Sequence, residues 1–234
     1  QRLALPDVIA FAEKFIAEGY KAEAVELYKT WLAFNATQPN LQMVYFNYSV
    51  LLRSMNDTAG AINAMDAALR IDPLFGPAHI NLGRAFEDSG TVPLAIRQWQ
   101  SFVDATAEIT PDRVTYRLMA LQNIGRVMEN AGLLEEAEAV LWQAMELRPE
   151  KTETGQHLSA IRQRQCKWPI ITPSSHVTRR QMIDALSPLT LGCFSDDPMF
   201  QLARAYTYNK SLVGRLDVKS FPRPTVKHKS GTGQ

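Results

Sequence analysis

Small and apolar residues recur along the chain at helical spacing, in a register that itself repeats. Downstream of residue 79 they fall on two segments. His79, Leu82, Gly83 and Phe86 lie on the first, Ala95, Trp99 and Phe102 on the second, and Gly90 stands between them. Intervals of three and four residues predict an amphipathic helix for each segment. One repeat step earlier, the first set becomes Tyr45, Tyr48, Ser49 and Leu52, and the second Ala61, Met65 and Ala68, with Pro73 closing the unit. The small residues at Gly83 and Ser49, and at Ala95 and Ala61, let two antiparallel helices approach closely. Proline then ends the second helix because it cannot continue the hydrogen-bond ladder.

The pattern extends in both directions. Pro6 opens a first helix with the stripe Val8, Phe11, Ala12 and Phe15, Gly19 breaks it, and Ala24, Leu27, Tyr28, Trp31 and Leu32 continue on a partner. That unit's closing proline, Pro39, comes late and predicts a longer second helix. Further units span about 41–73 and 74–110. In the fourth, Gly132 follows Gly90 by more than one repeat step. Leu121, Ile124, Gly125 and Met128 then fall on its first helix, and Ala137, Leu141, Ala144 and Pro149 on its second. The extra residues, around 106–115, predict an extended second helix in the third unit or a longer loop after it. Residues 152–165 carry Leu158 and Ile161 on a segment with a polar outer face, as a capping helix would. Beyond Cys166 the register changes. Pro169, Pro173, Ser174 and Ser175 mark a loop, 177–186 a short helix, Ser187-Pro188 a break, and 198–213 a helix headed by Asp196-Asp197. After Gly214 the chain is basic and aperiodic. The organisation expected is a repeat domain over 1–165, a helical junction over 166–213 and a basic linker over 214–234.

The repeating register resembles the tetratricopeptide repeat (TPR), whose period is about 34 residues. The expected fold is therefore all-α, a right-handed TPR superhelix of four hairpins with a capping helix. A second resemblance lies after the repeats. Arg164-Gln165-Cys166-Lys167-Trp168, Leu186-Ser187-Pro188-Leu189 and Ser195-Asp196-Asp197-Pro198 with Gln201-Leu202-Ala203 are similar to the junction between TPRs and catalytic region in bacterial O-linked N-acetylglucosamine transferase-like proteins, glycosyltransferase family 41. That family commonly has Asp where Lys167 stands and Phe where Leu189 stands. The resemblance implies a non-catalytic, acceptor-recruiting region of a glycosyltransferase, carrying none of the family's nucleotide-sugar or catalytic positions. A stand-alone TPR adaptor is the other reading.

Composition narrows the classes. Hydrophobic residues make up 46% of the chain, which argues against disorder throughout, and the net charge of +1 argues against a polyanion binder. Two cysteines, Cys166 and Cys193, supply neither a disulfide framework nor a four-ligand zinc site. No metal or cofactor site is expected, and a cytoplasmic setting fits. No apolar run approaches the roughly 20 residues that span a bilayer. With no initial methionine and a Gly231-Thr232-Gly233-Gln234 end, the chain reads as a piece of something longer. The partners expected are proteins or extended peptides, with a homodimer also open, and neither nucleic acid nor membrane.

The candidate site is a repeated asparagine. Asn47, Asn81 and Asn123 each precede the small residue of their first helix, Ser49, Gly83 or Gly125, by two positions. First helices line the inner face of a TPR array, where a row of carboxamides can hold an extended peptide by its backbone. The transferase family is known for such a ladder, and these positions match it, while Ala10 departs from it in the first repeat. The plainer reading is that asparagine here satisfies neighbouring hairpins. Arg84 and Arg126, three positions further on, flank the same face. They either hold acidic groups or pair with Glu87 and Glu129. Trp31, Trp99, Tyr28, Tyr45 and His79 read as packed residues, Cys166 and Trp168 as junction packing, and Asp196-Asp197 as a helix cap. Arg215, Lys219, Arg223, Lys227 and Lys229 read as a solvated linker.

Overall fold

The computed structural model describes residues 3–107, 110–192 and 194–213. Four helical hairpins follow one another: α1 (Leu5–Ala17) with α2 (Lys21–Phe34), α3 (Leu41–Ser54) with α4 (Thr58–Ile71), α5 (Gly76–Asp88) with α6 (Val92–Ala105), and α7 (Pro111–Asn130) with α8 (Leu134–Leu147). Four helices remain: α9 (Thr152–Arg164), α10 (Arg179–Ala185), α11 (Pro188–Leu191) and α12 (Pro198–Val213). No strand occurs among the described residues. The chain divides into two compact units after Ala185. The expected linker, 214–234, and Cys193 lie outside the described residues.

Each first helix closes in the same way. Gly19, Gly90 and Gly132 have φ of +90°, +74° and +78°, and Asn56 fills the slot in the second hairpin at +64°. The next residue returns its N–H to the last turn: Tyr20 to Phe15 at 2.8 Å, Asp57 to Leu52 at 3.0 Å, Thr91 to Phe86 and Leu133 to Met128 at 2.9 Å. This left-handed closure satisfies carbonyls that the helix end leaves open. A Cβ on Gly90 would meet nothing within 4 Å, so only backbone conformation opposes a side chain there. Gly90→Ala is expected to lose about 1 kcal/mol, read as a lower Tm.

Cys166 holds the same slot. Its φ is +53°, Lys167 N–H returns to Arg162 at 3.0 Å, and it follows Gly132 by one repeat step. Its conformation explains its place better than side-chain packing does, for Cys166 is exposed and Trp168 is 67% exposed. The helix α9, expected to cap the array alone, has a partner. Leu158 and Ile161 share a core with Ala137, Leu141 and Met145 of α8 and with Val177, Met182 and Ala185. A Cβ on Gly155 would stand 2.4 Å from that of Ala185. The helices α9 and α10 thus make a fifth, shortened hairpin with a long connection.

A buried carboxylate holds that connection. Glu138 of α8 accepts from Arg162 Nη1 at 2.5 Å, Lys167 Nζ at 2.8 Å and Gln165 Nε2 at 3.2 Å. Arg162 Nη2 also donates to the Pro169 carbonyl at 2.9 Å and to Thr172 Oγ1 at 3.0 Å. Burial pushes the Glu138 carboxyl up, but the hydrogen bonds from Lys167 and Arg162 outweigh it and hold the group below its usual 4.5. A depressed carboxyl stabilises the fold above its unfolded pKa and stops doing so as pH falls through the folded one. Glu138→Gln should therefore cost about 2 kcal/mol at neutral pH. The gap between its Tm and that of the wild type should shrink as pH is lowered below the carboxyl's usual 4.5.

Three other expectations change. Despite the late Pro39, α2 has 14 residues, as α4, α6 and α8 do. The side chain of Asn35 donates to the Trp31 carbonyl at 2.7 Å where the helix stops. The extra residues near 106–115 lengthen neither α6 nor the loop alone, since α7 starts at Pro111 and runs for 20 residues. Proline at the first helical position presets φ there. Phe11 is exposed, and Val8 and Ala12 carry the buried face of α1.

Ser187 caps α11 by accepting from Thr190 N at 3.1 Å, and Asp197 Oδ1 caps α12, accepting from Met199 N at 2.9 Å and Phe200 N at 3.2 Å.

Candidate functional site

First helices of successive hairpins lie side by side and are joined by polar bridges. Arg53 of α3 pairs with Asp88 of α5. Arg126 of α7 closes a two-pronged fork on Glu87 of α5, at 2.8 and 2.7 Å. Glu129 of α7 accepts from Arg164 of α9 at 3.1 Å and faces His157 Nδ1 at 3.2 Å. Gln122 Nε2 of α7 donates to Thr154 Oγ1 of α9 at 2.9 Å. From α3 to α9 these helices therefore form one continuous wall.

Asn47, Asn81 and Asn123 occupy the same position on three helices of this wall. Each is half-buried, and none of the three side chains has a hydrogen-bond or ion-pair partner among the described residues. Each carboxamide keeps its acceptor and both donors unused. Asn35 shows the contrast, its amide being spent on a helix carbonyl.

The two arginines part ways. Arg126 is engaged by Glu87, and its hydrogen bond is the main reason the Glu87 carboxyl lies below its usual range. The same bond raises Arg126. Arg84 is exposed, makes no hydrogen bond among the described residues, and adds to the pull on Glu87 through space. Glu129 is taken by α9 rather than by either arginine.

Sequence reasoning missed His157. It follows Asn123 by one repeat step and so sits on α9 where the asparagines sit on α3, α5 and α7. The signal was present in the equal step from Gly132 to Cys166, but Gly had become Cys and Asn had become His. His79 is packed as expected, with Nε2 2.9 Å from the Pro73 carbonyl, Nδ1 2.8 Å from Gln98 Nε2, and its ring 4.9 Å from that of Phe102. Trp99 is fully buried and donates to the Ile80 carbonyl at 3.2 Å. His228 and the basic residues Arg215, Lys219, Arg223, Lys227 and Lys229 lie outside the described residues. Among the described residues no helix is long and apolar enough to cross a membrane, and no cluster of His, Cys, Asp and Glu could hold a metal ion.

Residues 44–73, the core of the second hairpin, match the tetratricopeptide repeat. The fold is that of a TPR solenoid. Solved structures of the same fold include PilF of Pseudomonas aeruginosa, 13% identical over 92% of this chain and 94% of its own, with a TM-score of 0.57. MamA is 14% identical over 85% of this chain and 96% of its own, with a TM-score of 0.56. YrrB, a TPR protein with an unusual peptide-binding site, is 17% identical over 86% and 91%, with a TM-score of 0.51. No curated protein matches the chain.

Proposed function

We propose that the wall of first helices binds an extended polypeptide through its backbone, with Asn47, Asn81 and Asn123 as successive rungs. The observation that carries this is their common state: three half-buried carboxamides at one repeated position, none with a partner among the described residues. A side chain serving only to join hairpins would show such a bond, as Gln122 and Arg126 do. Packed helices stand about 8–10 Å apart and an extended chain advances about 3.3 Å per residue. Each rung thus meets roughly every third residue, whatever its side chain. Arg84, beside Asn81, adds a cation for acidic side chains, while Arg126 holds the wall together.

The likeness of 166–205 to the O-linked N-acetylglucosamine transferase junction supports reading this as the acceptor-recruiting, non-catalytic region of such an enzyme, in the cytoplasm. A stand-alone adaptor would use the same wall, and the peptide-binding site of YrrB supports the ligand class in either case. Backbone recognition has a direct test in fluorescence titration of unstructured peptides. Peptides of unrelated sequence should bind with similar affinity, and N-methylation of alternate peptide nitrogens, which deletes backbone donors, should abolish binding. Unchanged affinity for the N-methylated peptides would overturn the reading.

A further inference from the structure

We propose that the wall carries a fourth rung at His157 and, between it and Asn123, a pocket that takes an arginine side chain of the bound polypeptide. The inference rests on the peptide-binding reading above. It starts from register. The helix α9 closes at Cys166 as the other first helices close at Gly or Asn, and His157 has the asparagine position upon it. Nδ1 of His157 lies 3.2 Å from Glu129 Oε2. A carboxylate only accepts, so Nδ1 carries the hydrogen of that contact.

A cavity of about 120 Å³ lies between these two rungs, lined by Gln122, Asn123, Arg126, Glu153, Thr154 and His157 among others. That is room for several waters or for the head of one long side chain. Its cation is already spent, since Arg126 is closed on Glu87. Thr154 Oγ1 accepts from Gln122 Nε2, which leaves the Gln122 carbonyl unused. Glu153 has no hydrogen bond or ion pair among the described residues, and neither has the Asn123 side chain. With Arg126 closed on Glu87, the unpaired charge in the lining is the Glu153 carboxylate, and the amide groups of Gln122 and Asn123 stand beside it. An occupant that complements this charge is cationic and offers several donors to the carboxylate and the amide carbonyls at once. Guanidinium, with five N–H groups in a planar fork, fits that demand better than the three donors of an ammonium.

The test is an arginine scan along an unstructured peptide of alternating Ser and Ala, titrated by fluorescence anisotropy against the full chain. At one position of the register arginine should tighten binding about tenfold over alanine, lysine less, and glutamate not at all. Glu153→Gln should remove that gain with an unchanged melting curve. Glu150→Gln, a carboxylate at the same end of the array, should leave it. A flat scan, a preference for glutamate, or a gain that survives Glu153→Gln or falls equally in Glu150→Gln would overturn the pocket. The unsubstituted peptide separates the two readings. If it binds and depends on Asn47, Asn81 and Asn123 while the scan is flat, only the pocket falls. If it does not bind at all, the ladder falls and the pocket with it.

Discussion

Gly83→Leu is expected to destabilise the third hairpin strongly. A Cβ on Gly83 would stand 2.2 Å from Trp99 Nε1 and 2.4 Å from Cε2, far inside contact distance, before any of the leucine's further atoms are placed. The indole has nowhere to go. It is fully buried, and its N–H is bonded to the Ile80 carbonyl. Moving it breaks that bond and opens the core that Trp99 shares with Phe102, Leu121 and Ile124. Overpacking typically costs roughly 1–3 kcal/mol, and the displaced hydrogen bond adds about 1 kcal/mol. A loss of about 3 kcal/mol or more should lower the Tm by roughly 10 °C in a domain of this size. Because each repeat is stabilised by its neighbours, the loss should spread to the hairpins on either side. Gly83→Ala should shift the Tm in the same direction by less. Melts of both variants that overlay the wild type would show that α5 and α6 do not meet where the structure puts them.

Much of the hairpin architecture was legible because close helix contacts leave compositional marks. Gly83 and Gly125 lie where a Cβ would strike Trp99 and Leu141, and Gly19, Gly90 and Gly132 lie where φ is positive. Position alone identifies such residues. The fifth hairpin was hidden for the same reason in reverse. Its turn uses Cys166, His157 stands at its asparagine position, and α10 follows only after a connection held by Glu138, Arg162 and Lys167. No periodicity announces a bridge between one helix and the far end of the next. The start of α7 was missed because an insertion shifts the register without saying which side absorbs it. At the candidate site, the row of asparagines was visible in the sequence, but their lack of partners was not. The same holds for Arg126, whose pairing depends on Glu87 lying opposite on the neighbouring first helix.

The triple change Asn47→Ala, Asn81→Ala and Asn123→Ala is expected to weaken binding of extended polypeptides tenfold or more and to leave the fold nearly untouched. Each rung should contribute roughly 0.5–1.5 kcal/mol through hydrogen bonds to the bound backbone. Three lost together amount to about 1.5–4.5 kcal/mol, and each 1.4 kcal/mol is about a factor of ten in affinity. Stability should barely move. None of the three carboxamides bonds to another described residue, and alanine has the higher helix propensity at all three positions. Had asparagine joined neighbouring hairpins, its removal would strand buried partners and lower the Tm.

The most direct measurement of the central claim sets two curves side by side for the wild type and this triple variant. One is a titration against unstructured peptides of unrelated sequence, the other a thermal melt followed by circular dichroism. A backbone-binding wall predicts affinity reduced at least about tenfold for every peptide, with the two melts superimposed. Equal affinities for all peptides, accompanied by a lower melting temperature in the variant, would contradict it and leave the asparagines as packing residues alone.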